Sequence, residues 1–408
     1  MTILKNIVVF LVLMLFFGLI YNLIRQRQQI LALEGFQEGI TFFTPTPVNE
    51  LVSLQNKDPT GISNVKDTSL PLIQYCMKGS YNTAFTGNYM NKDMVKYVIT
   101  RGCRFLDFEV YPNTEADGNT NLIPTVSCKI ATPQITETLE DILNTVGTYG
   151  FMGNNVPNAD DPIFIHLRIY TNGNNYLYSQ IASVIKQSKL YSADPSRSKL
   201  YQKDNVAIPV IMNSYSSNTP STKFSDIMGK VIIILNKDTF PDYDDEKYLC
   251  DNNASPAPAL VQAKVPAPAP APSNKCINLK DFVNMLSGNS NPTYSYSQLM
   301  EQDKSPPIVN DNGKICDNIK SFKIVFPDTG SSYLGLGSVA NYVQLPSQYG
   351  AQVLMYPFYN NDADLGDYEK LFANTGAAFV PMAVMVNTIK SEINKKNYNR
   401  TPSTNPKK

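Results

Sequence analysis

The chain has 408 residues, 35 Lys+Arg balanced by 35 Asp+Glu, one histidine and no tryptophan. Balanced charge without a basic stripe gives no electrostatic footprint for nucleic acid. A single histidine, His166, excludes any mechanism that needs two imidazoles. The length suits several small domains or one large barrel with additions.

Six cysteines form no motif, and no CxxC or Cys/His spacing suggests zinc. Cys76, Cys103 and Cys128 lie in apolar, strand-like contexts and read as buried thiols. Cys250, Cys276 and Cys316 lie in loop-like sequence, where a Cys250–Cys276 bridge would close the proline-rich segment.

From the start, Ile3 to Ile24 is a hydrophobic run, long enough for the roughly 20 residues that span a bilayer. Arg25-Gln26-Arg27-Gln28 follows without a small-residue cleavage site, so residues 1–27 read as an uncleaved single-pass anchor. Arg25 and Arg27 against Lys5 narrowly place the body on the cytoplasmic side. Residues 28–69 read as a stalk, broken by Thr44-Pro45-Thr46-Pro47.

From Leu70 short apolar strands alternate with helical segments. Strands are expected at Leu70–Met77, Phe105–Tyr111, Leu122–Cys128, Ile163–Tyr170, Ala207–Met212 and Lys230–Leu235. Helices are expected at Asn91–Arg101, at Ile135–Val146 starting from Thr132, and at Tyr176–Ser188. Continuous apolar strands alternating with helices predict a parallel sheet, closed or doubly wound. Residues 238–275 interrupt it with an acidic patch and Pro-Ala repeats, a semi-extended spacer with no core of its own. Beyond it come a helix at Leu279–Leu286, a segment at Tyr294–Gln302, and strands at Ser321–Phe326, Val353–Phe358 and Ala378–Met385. A loop carries Asp362, Asp364 and Asp367, and a basic, disordered tail is expected over 391–408.

Two of these strands carry unexpected charge. In Arg101–Tyr111, Phe105, Asp107 and Glu109 share one face and Leu106, Phe108 and Val110 the other. Two acids on a buried strand demand a metal, a base or a substrate opposite them. In Ile163–Tyr170 the face of Phe164, His166, Arg168 and Tyr170 points inward. Arg168 is a natural partner for Asp107 and Glu109.

Several segments in order resemble the phosphoinositide-specific phospholipase C family in its eukaryotic-type X-plus-Y arrangement. Tyr75–Phe85, Gly102–Tyr111, Pro124–Thr132 and Pro162–Arg168 resemble its X region. Ser295-Tyr296-Ser297-Gln298, Phe326-Pro327, Ala340-Asn341-Tyr342, Gly350–Met355 and Phe372–Pro381 resemble its Y region. The resemblance spans roughly residues 70 to 382. It implies a TIM-type (β/α)8 barrel split by the Pro/Ala-rich linker, with its site at the C-terminal strand ends. It divides the body into an X-like half-barrel at 70–237 and a Y-like half-barrel at 276–390.

That family's chemistry uses two histidines, a carboxylate, a metal held by oxygen ligands and basic residues for ring phosphates. Here Tyr81 stands at the first histidine's position and Cys128 (or, one residue over, Ser127) at the second. Asn82, Asp107 and Glu109 match ligands of the metal, but Arg168 replaces a further carboxylate. Lys237, Ser295, Ser297 and Lys323 are the remaining ligand-binding candidates. The reading is a membrane-anchored phospholipase C-like pseudoenzyme without a cofactor. It would bind an anionic lipid headgroup or a protein partner, or serve a structural role of the kind that suits a large-virus membrane protein. The alternative is an active phosphoric diester hydrolase on phosphatidylinositol-type lipids, built around Asp107 and Glu109 and holding Ca2+.

Overall fold

The computed structural model describes residues 50–52, 54, 61–114, 122–129, 136–212, 221–240, 277–288, 291–328 and 343–400. The expected anchor at 1–27, most of the 28–69 stalk, nearly all of the 238–275 linker, Cys250 and Cys276 lie outside the described residues. Among the described residues no helix is long and apolar enough to cross a membrane.

Eight parallel strands form the centre. Within 70–237 these are β1 (Tyr75–Ser80), β2 (Phe105–Thr114), β3 (Ile163–Ile169) and β4 (Val231–Asn236). Within 276–390 they are β5 (Met285–Ser287), β6 (Thr293–Ser295), β7 (Ile324–Phe326) and β8 (Val353–Tyr356). Neighbours in sequence pair in space, and β8 returns to β1. The barrel is therefore TIM-type and nearly closed. Its gap falls between β5 and β6, where Gly288 and Asn291 form an antiparallel bridge instead. Burial on both sides of β3 and β4 explains their unbroken apolar sequences.

Helices α1 (Lys92–Thr100), α2 (Leu139–Tyr149), α3 (Tyr176–Gln187), α4 (Tyr296–Met300), α5 (Leu345–Tyr349), α6 (Ala363–Thr375) and α7 (Met382–Arg400) accompany the strands. Side-chain caps mark the starts of several of them. Asn91 accepts from the Asp93 N–H, Thr138 from Asp141 and Asp362 from Leu365. Behind β1, buried Lys78 donates to the Arg101 carbonyl at 2.6 Å and pairs with Glu369 at 3.4 Å. Arg101 grips the same carboxylate with two nitrogens, at 2.8 and 2.7 Å, tying α6 to the barrel.

Several elements differ from the sequence expectation. A 3-10 turn at Leu72–Gln74 delays β1 to Tyr75. Leu122–Ser127 is a strand, but it returns antiparallel on β2 as a hairpin rather than joining the barrel. Helix α2 starts at the Thr138 cap, not at Thr132. Of the expected Ala207–Met212 strand only Ala207 pairs, at the end of a short hairpin between Gln202–Lys203 and Val206–Ala207. The expected Leu279–Leu286 helix is a 3-10 turn, Leu279–Phe282, followed by β5. The three aspartates from Asp362 onward start and line α6 instead of a loop. Ala378–Met385 yields only Phe379–Pro381, which pairs antiparallel with the start of β1. Helix α7 then runs to Arg400, so the tail expected to be disordered from 391 is helical as far as that residue.

The barrel interior is layered. Its floor is aromatic: Phe105 stacks on Phe164 at 6.0 Å, and Phe379 contacts Phe164 at 5.9 Å and Phe224 at 4.8 Å. Gly79 lies against this layer; a Cβ there would sit 3.1 Å from the Leu354 carbonyl and 3.2 Å from Met355 Cγ. Above the floor the register sets Asp107 beside His166, and then Glu109 beside Arg168. The alternation read from the sequence thus delivers all four side chains to the mouth half of the barrel.

Candidate functional site

The C-terminal ends of β1, β2 and β3 converge on Arg168. Its Nε donates to Asp107 Oδ1 at 3.0 Å, and its Nη2 to Asp107 Oδ2 at 2.6 Å. Nη1 donates to Glu109 Oε1 and Nη2 also to Asn82 Oδ1, both at 2.7 Å. Arg168 is 7% exposed, Asn82 and Glu109 2% each, and Asp107 not at all. The ring of Tyr81 covers the guanidinium, its centroid 4.8 Å from Cζ. Phe326 stacks on Tyr81 at 6.0 Å.

Neighbouring groups fix these side chains. Asn82 has φ 44, a left-handed conformation that asparagine tolerates, and its N–H donates to Asp107 Oδ2 at 3.1 Å. Its Nδ2 donates to Cys128 Sγ at 3.1 Å. Thr83 is stitched to β2 on both sides: its N–H donates to the Asp107 carbonyl, and its Oγ1 accepts the Asp107 N–H, each at 2.9 Å. Glu109 Oε2 accepts from the Tyr111 hydroxyl and the Lys129 N–H, both at 2.7 Å. Tyr111 in turn stacks on Tyr170 at 5.0 Å.

One layer deeper, His166 Nδ1 lies 2.8 Å from Asp107 Oδ1, and Nε2 lies 2.9 Å from Ser287 Oγ. An ionised carboxylate can only accept, so Nδ1–H donates to Asp107, and Nε2 shares its hydrogen bond with the Ser287 hydroxyl. The order is that of a Ser–His–Asp triad. All three residues have no exposed surface.

The electrostatics follow from the geometry. Burial alone would push Asp107 up. The adjacent Arg168 charge and His166 outweigh it and hold its carboxyl well below the usual range. Burial disfavours the charged form of Arg168 as well, yet Asp107, Tyr81 and Glu109 keep it charged far above any working pH. Tyr81 and Tyr111 are both pushed up, chiefly by burial, and stay neutral phenols.

An oxygen-liganded cation does not fit this arrangement. Calcium takes about six to eight oxygens. Asn82 Oδ1, both oxygens of Asp107 and Glu109 Oε1 already accept from one guanidinium, whose charge would repel the ion. Among the described residues no group of three or more His, Cys, Asp or Glu is placed to hold a metal.

The other sequence candidates scatter. Cys128 is buried and reaches the site through Asn82. Lys237 follows β4 at the mouth, its N–H donating to the Ser287 carbonyl at 2.9 Å. Ser295 caps α4 in a capping box with Gln298. Ser297 Oγ donates to Asp328 Oδ2 at 2.6 Å, outside the arginine cluster. Lys323 precedes β7 at the opposite end of the barrel, where its Nζ donates to the Tyr349 carbonyl at 2.5 Å. It is a closing contact of the barrel floor, not a phosphate contact at the mouth. Thr83, Ser287, Tyr111 and the Lys129 N–H belong to the site without having been expected there. Thr83, adjacent to Asn82, was within reach of the motif. Ser287 was hidden because its strand read as helix.

Strand order and the nearly closed ring of parallel strands make this a TIM-type barrel with a charged layer at its C-terminal strand ends. No family model and no curated protein matches the chain by sequence. Among solved structures it is similar to PLC21 of S. officinalis, at 14% identity and TM-score 0.51, over 86% of this chain and 42% of that one. PLC21 of L. pealei aligns at 13% identity and TM-score 0.49, over 78% of this chain and 38% of that one. A calcium-dependent phosphoinositol-specific phospholipase C of Pseudomonas sp. aligns at 11% identity and TM-score 0.42, over 80% and 99%. The chain spans about two fifths of the length of the PLC21 structures. Likeness at such identity is a likeness of fold, and the fold is that of the phosphoinositide-specific phospholipases C.

Proposed function

We propose that this protein is a phospholipase C-type barrel without phospholipase chemistry, a binding or structural module held at a membrane by its apolar run at 3–24. The observation that carries this reading is the guanidinium of Arg168, bonded to Asp107, Glu109 and Asn82 where a catalytic cation would need the same oxygens. Diester cleavage by the family's route also needs an imidazole to protonate the leaving group. His166 is engaged on both nitrogens and fully buried, and Tyr81 and Cys128 stand at the two histidine positions.

The test is phosphodiesterase activity of the full chain on phosphatidylinositol vesicles, with and without calcium, against an Asp107→Asn control. The expected result is no turnover above the control in either condition and no saturable calcium binding by calorimetry. Calcium-dependent turnover lost in Asp107→Asn would overturn the reading in favour of an active hydrolase.

A further inference from the structure

The loop from β1 to α1 carries more than Tyr81 and Asn82. Further along it, Thr86-Gly87-Asn88 turns three donors toward one carboxylate, that of Glu50. The Thr86 hydroxyl donates to Glu50 Oε2. The Asn88 N–H donates to the same oxygen at 3.3 Å, and Asn88 Nδ2 to Oε1 at 2.5 Å. Gly87 has φ +131, and a Cβ there would stand 3.2 Å from Glu50 Oε1. The positive φ favours glycine at this position, and the carboxylate packs closely against it. Beside it Leu51 and Leu54, 6% and 5% exposed, sink into the core.

We propose that Thr86-Gly87-Asn88 is a receptor for an oxyanion, a carboxylate or a phosphate group, and that Glu50 is its occupant in cis. Convergent N–H and O–H donors on a turn with a positive-φ glycine are the chemistry of an anion nest. Its occupant comes from 36 positions earlier in the chain, so the turn is not merely closing on itself. Without Glu50 the loop still has a satisfied form, because the Thr86 hydroxyl also lies 3.1 Å from the Tyr89 carbonyl. Asn88 is exposed and Glu50 half-buried, so exchange needs no opening of the barrel. An incoming anion would free the segment that leads to the apolar run while leaving the loop shape intact. The same loop holds Asn82 against Arg168, so the exchange sits one short stretch from the arginine cluster. The inference does not depend on whether the barrel turns over substrate.

The test uses the full chain with Glu50→Ala, titrated separately with inorganic phosphate and acetate at constant ionic strength. Amide NMR at Thr86, Gly87 and Asn88 reports occupancy. The expected result is saturable shifts at these amides in the variant, with a midpoint at least about tenfold lower than in wild type, where Glu50 competes. A response to only one of the two anions assigns the class. Leu54→Asp, which undocks the segment by another route, should lower the midpoint likewise. No saturable shift in either variant, or equal midpoints in wild type and Glu50→Ala, overturns the proposal.

Discussion

Arg168→Met removes the guanidinium while keeping most of its volume. It leaves Asp107 and Glu109 without their shared guanidinium in a site where they are 0% and 2% exposed. Asp107 keeps His166 and the Asn82 N–H, and Glu109 keeps Tyr111 and the Lys129 N–H, but no positive charge remains between them. Removing one partner of a buried pair costs roughly 3–5 kcal/mol. At roughly 2–4 °C per kcal/mol for a domain of this size, the thermal midpoint should fall by about 6–20 °C. The urea midpoint should fall with it at unchanged m. Adding Asp107→Asn and Glu109→Gln to the same chain should recover most of the loss, because no uncompensated charge is left. The single variant should also gain what wild type lacks, an oxygen cage from Asn82, Asp107 and Glu109. Calcium at a hundredfold its Kd should then return about 2.7 kcal/mol to the variant and nothing to wild type. A variant midpoint within about 2 °C of wild type, or equal stabilisation of both proteins by calcium, would refute the reasoning.

Three further outcomes follow from single residues. Ser287→Ala leaves His166 Nε2 buried without its partner and should cost about 1–3 kcal/mol in urea unfolding; an unchanged midpoint would deny the bond any role. The Tyr81 hydroxyl is buried without a partner among the described residues, so Tyr81→Phe should match or exceed wild-type stability. Tyr81→Ala, which also loses the contacts with Arg168 and Phe326, should cost about 3–5 kcal/mol, and equal losses in the two variants would contradict this. Asp161 gives a pH dependence: burial pushes it up to about 6 from 3.8, against the Val65 N–H bond and Arg104. Its folded form holds the proton more tightly, so the stabilising term is full below the ordinary value and fades as pH rises through about 6. The loss is on the order of 3 kcal/mol. Asp161→Asn should therefore gain on wild type as pH rises over that window, whereas parallel stability profiles would sink the assignment. Asp107 acts in the opposite sense, its contribution being lost only as pH falls below the ordinary carboxylate range.

The X-like half was legible because its strands are long and buried on both sides. The runs in β3 and β4 name themselves, and the inward face of β3 followed from alternation alone. The Y-like half was harder because β5, β6 and β7 have only three residues each, too few for a period of two to show. Leu279–Leu286 therefore read as a helix when it is a turn and a strand. The hairpin partner of β2 looked like a barrel strand because composition reports burial, not direction. Lys323 was misplaced for a related reason. A lysine near a short strand can lie at either end of the barrel, and only the register of Ile324–Phe326 decides it. The pairing of Arg168 with both acids was foreseeable, since three inward side chains of adjacent strands must meet. The link to Ser287 was not, because it crosses from β3 to a strand of the other half.

Catalysis needs groups whose hydrogen-bonding capacity is left open for substrate, and the arginine layer leaves almost none. Asp107 Oδ1 accepts from Arg168 and His166, and Oδ2 from Arg168 and Asn82. Glu109 Oε1 accepts from Arg168, and Oε2 from Tyr111 and Lys129. Asn82 uses its oxygen for Arg168 and its nitrogen for Cys128. In a metal site several of these acceptors would face the ion and, through it, the substrate. Here they face a protein side chain that neither exchanges nor adds a ligand. The Tyr81 hydroxyl is buried without a partner among the described residues, as is Ser80 Oγ beside it, and a neutral buried phenol is not the general acid that diester cleavage requires. The two acids, both bonded to Arg168, tie the second and third barrel strands together at the mouth.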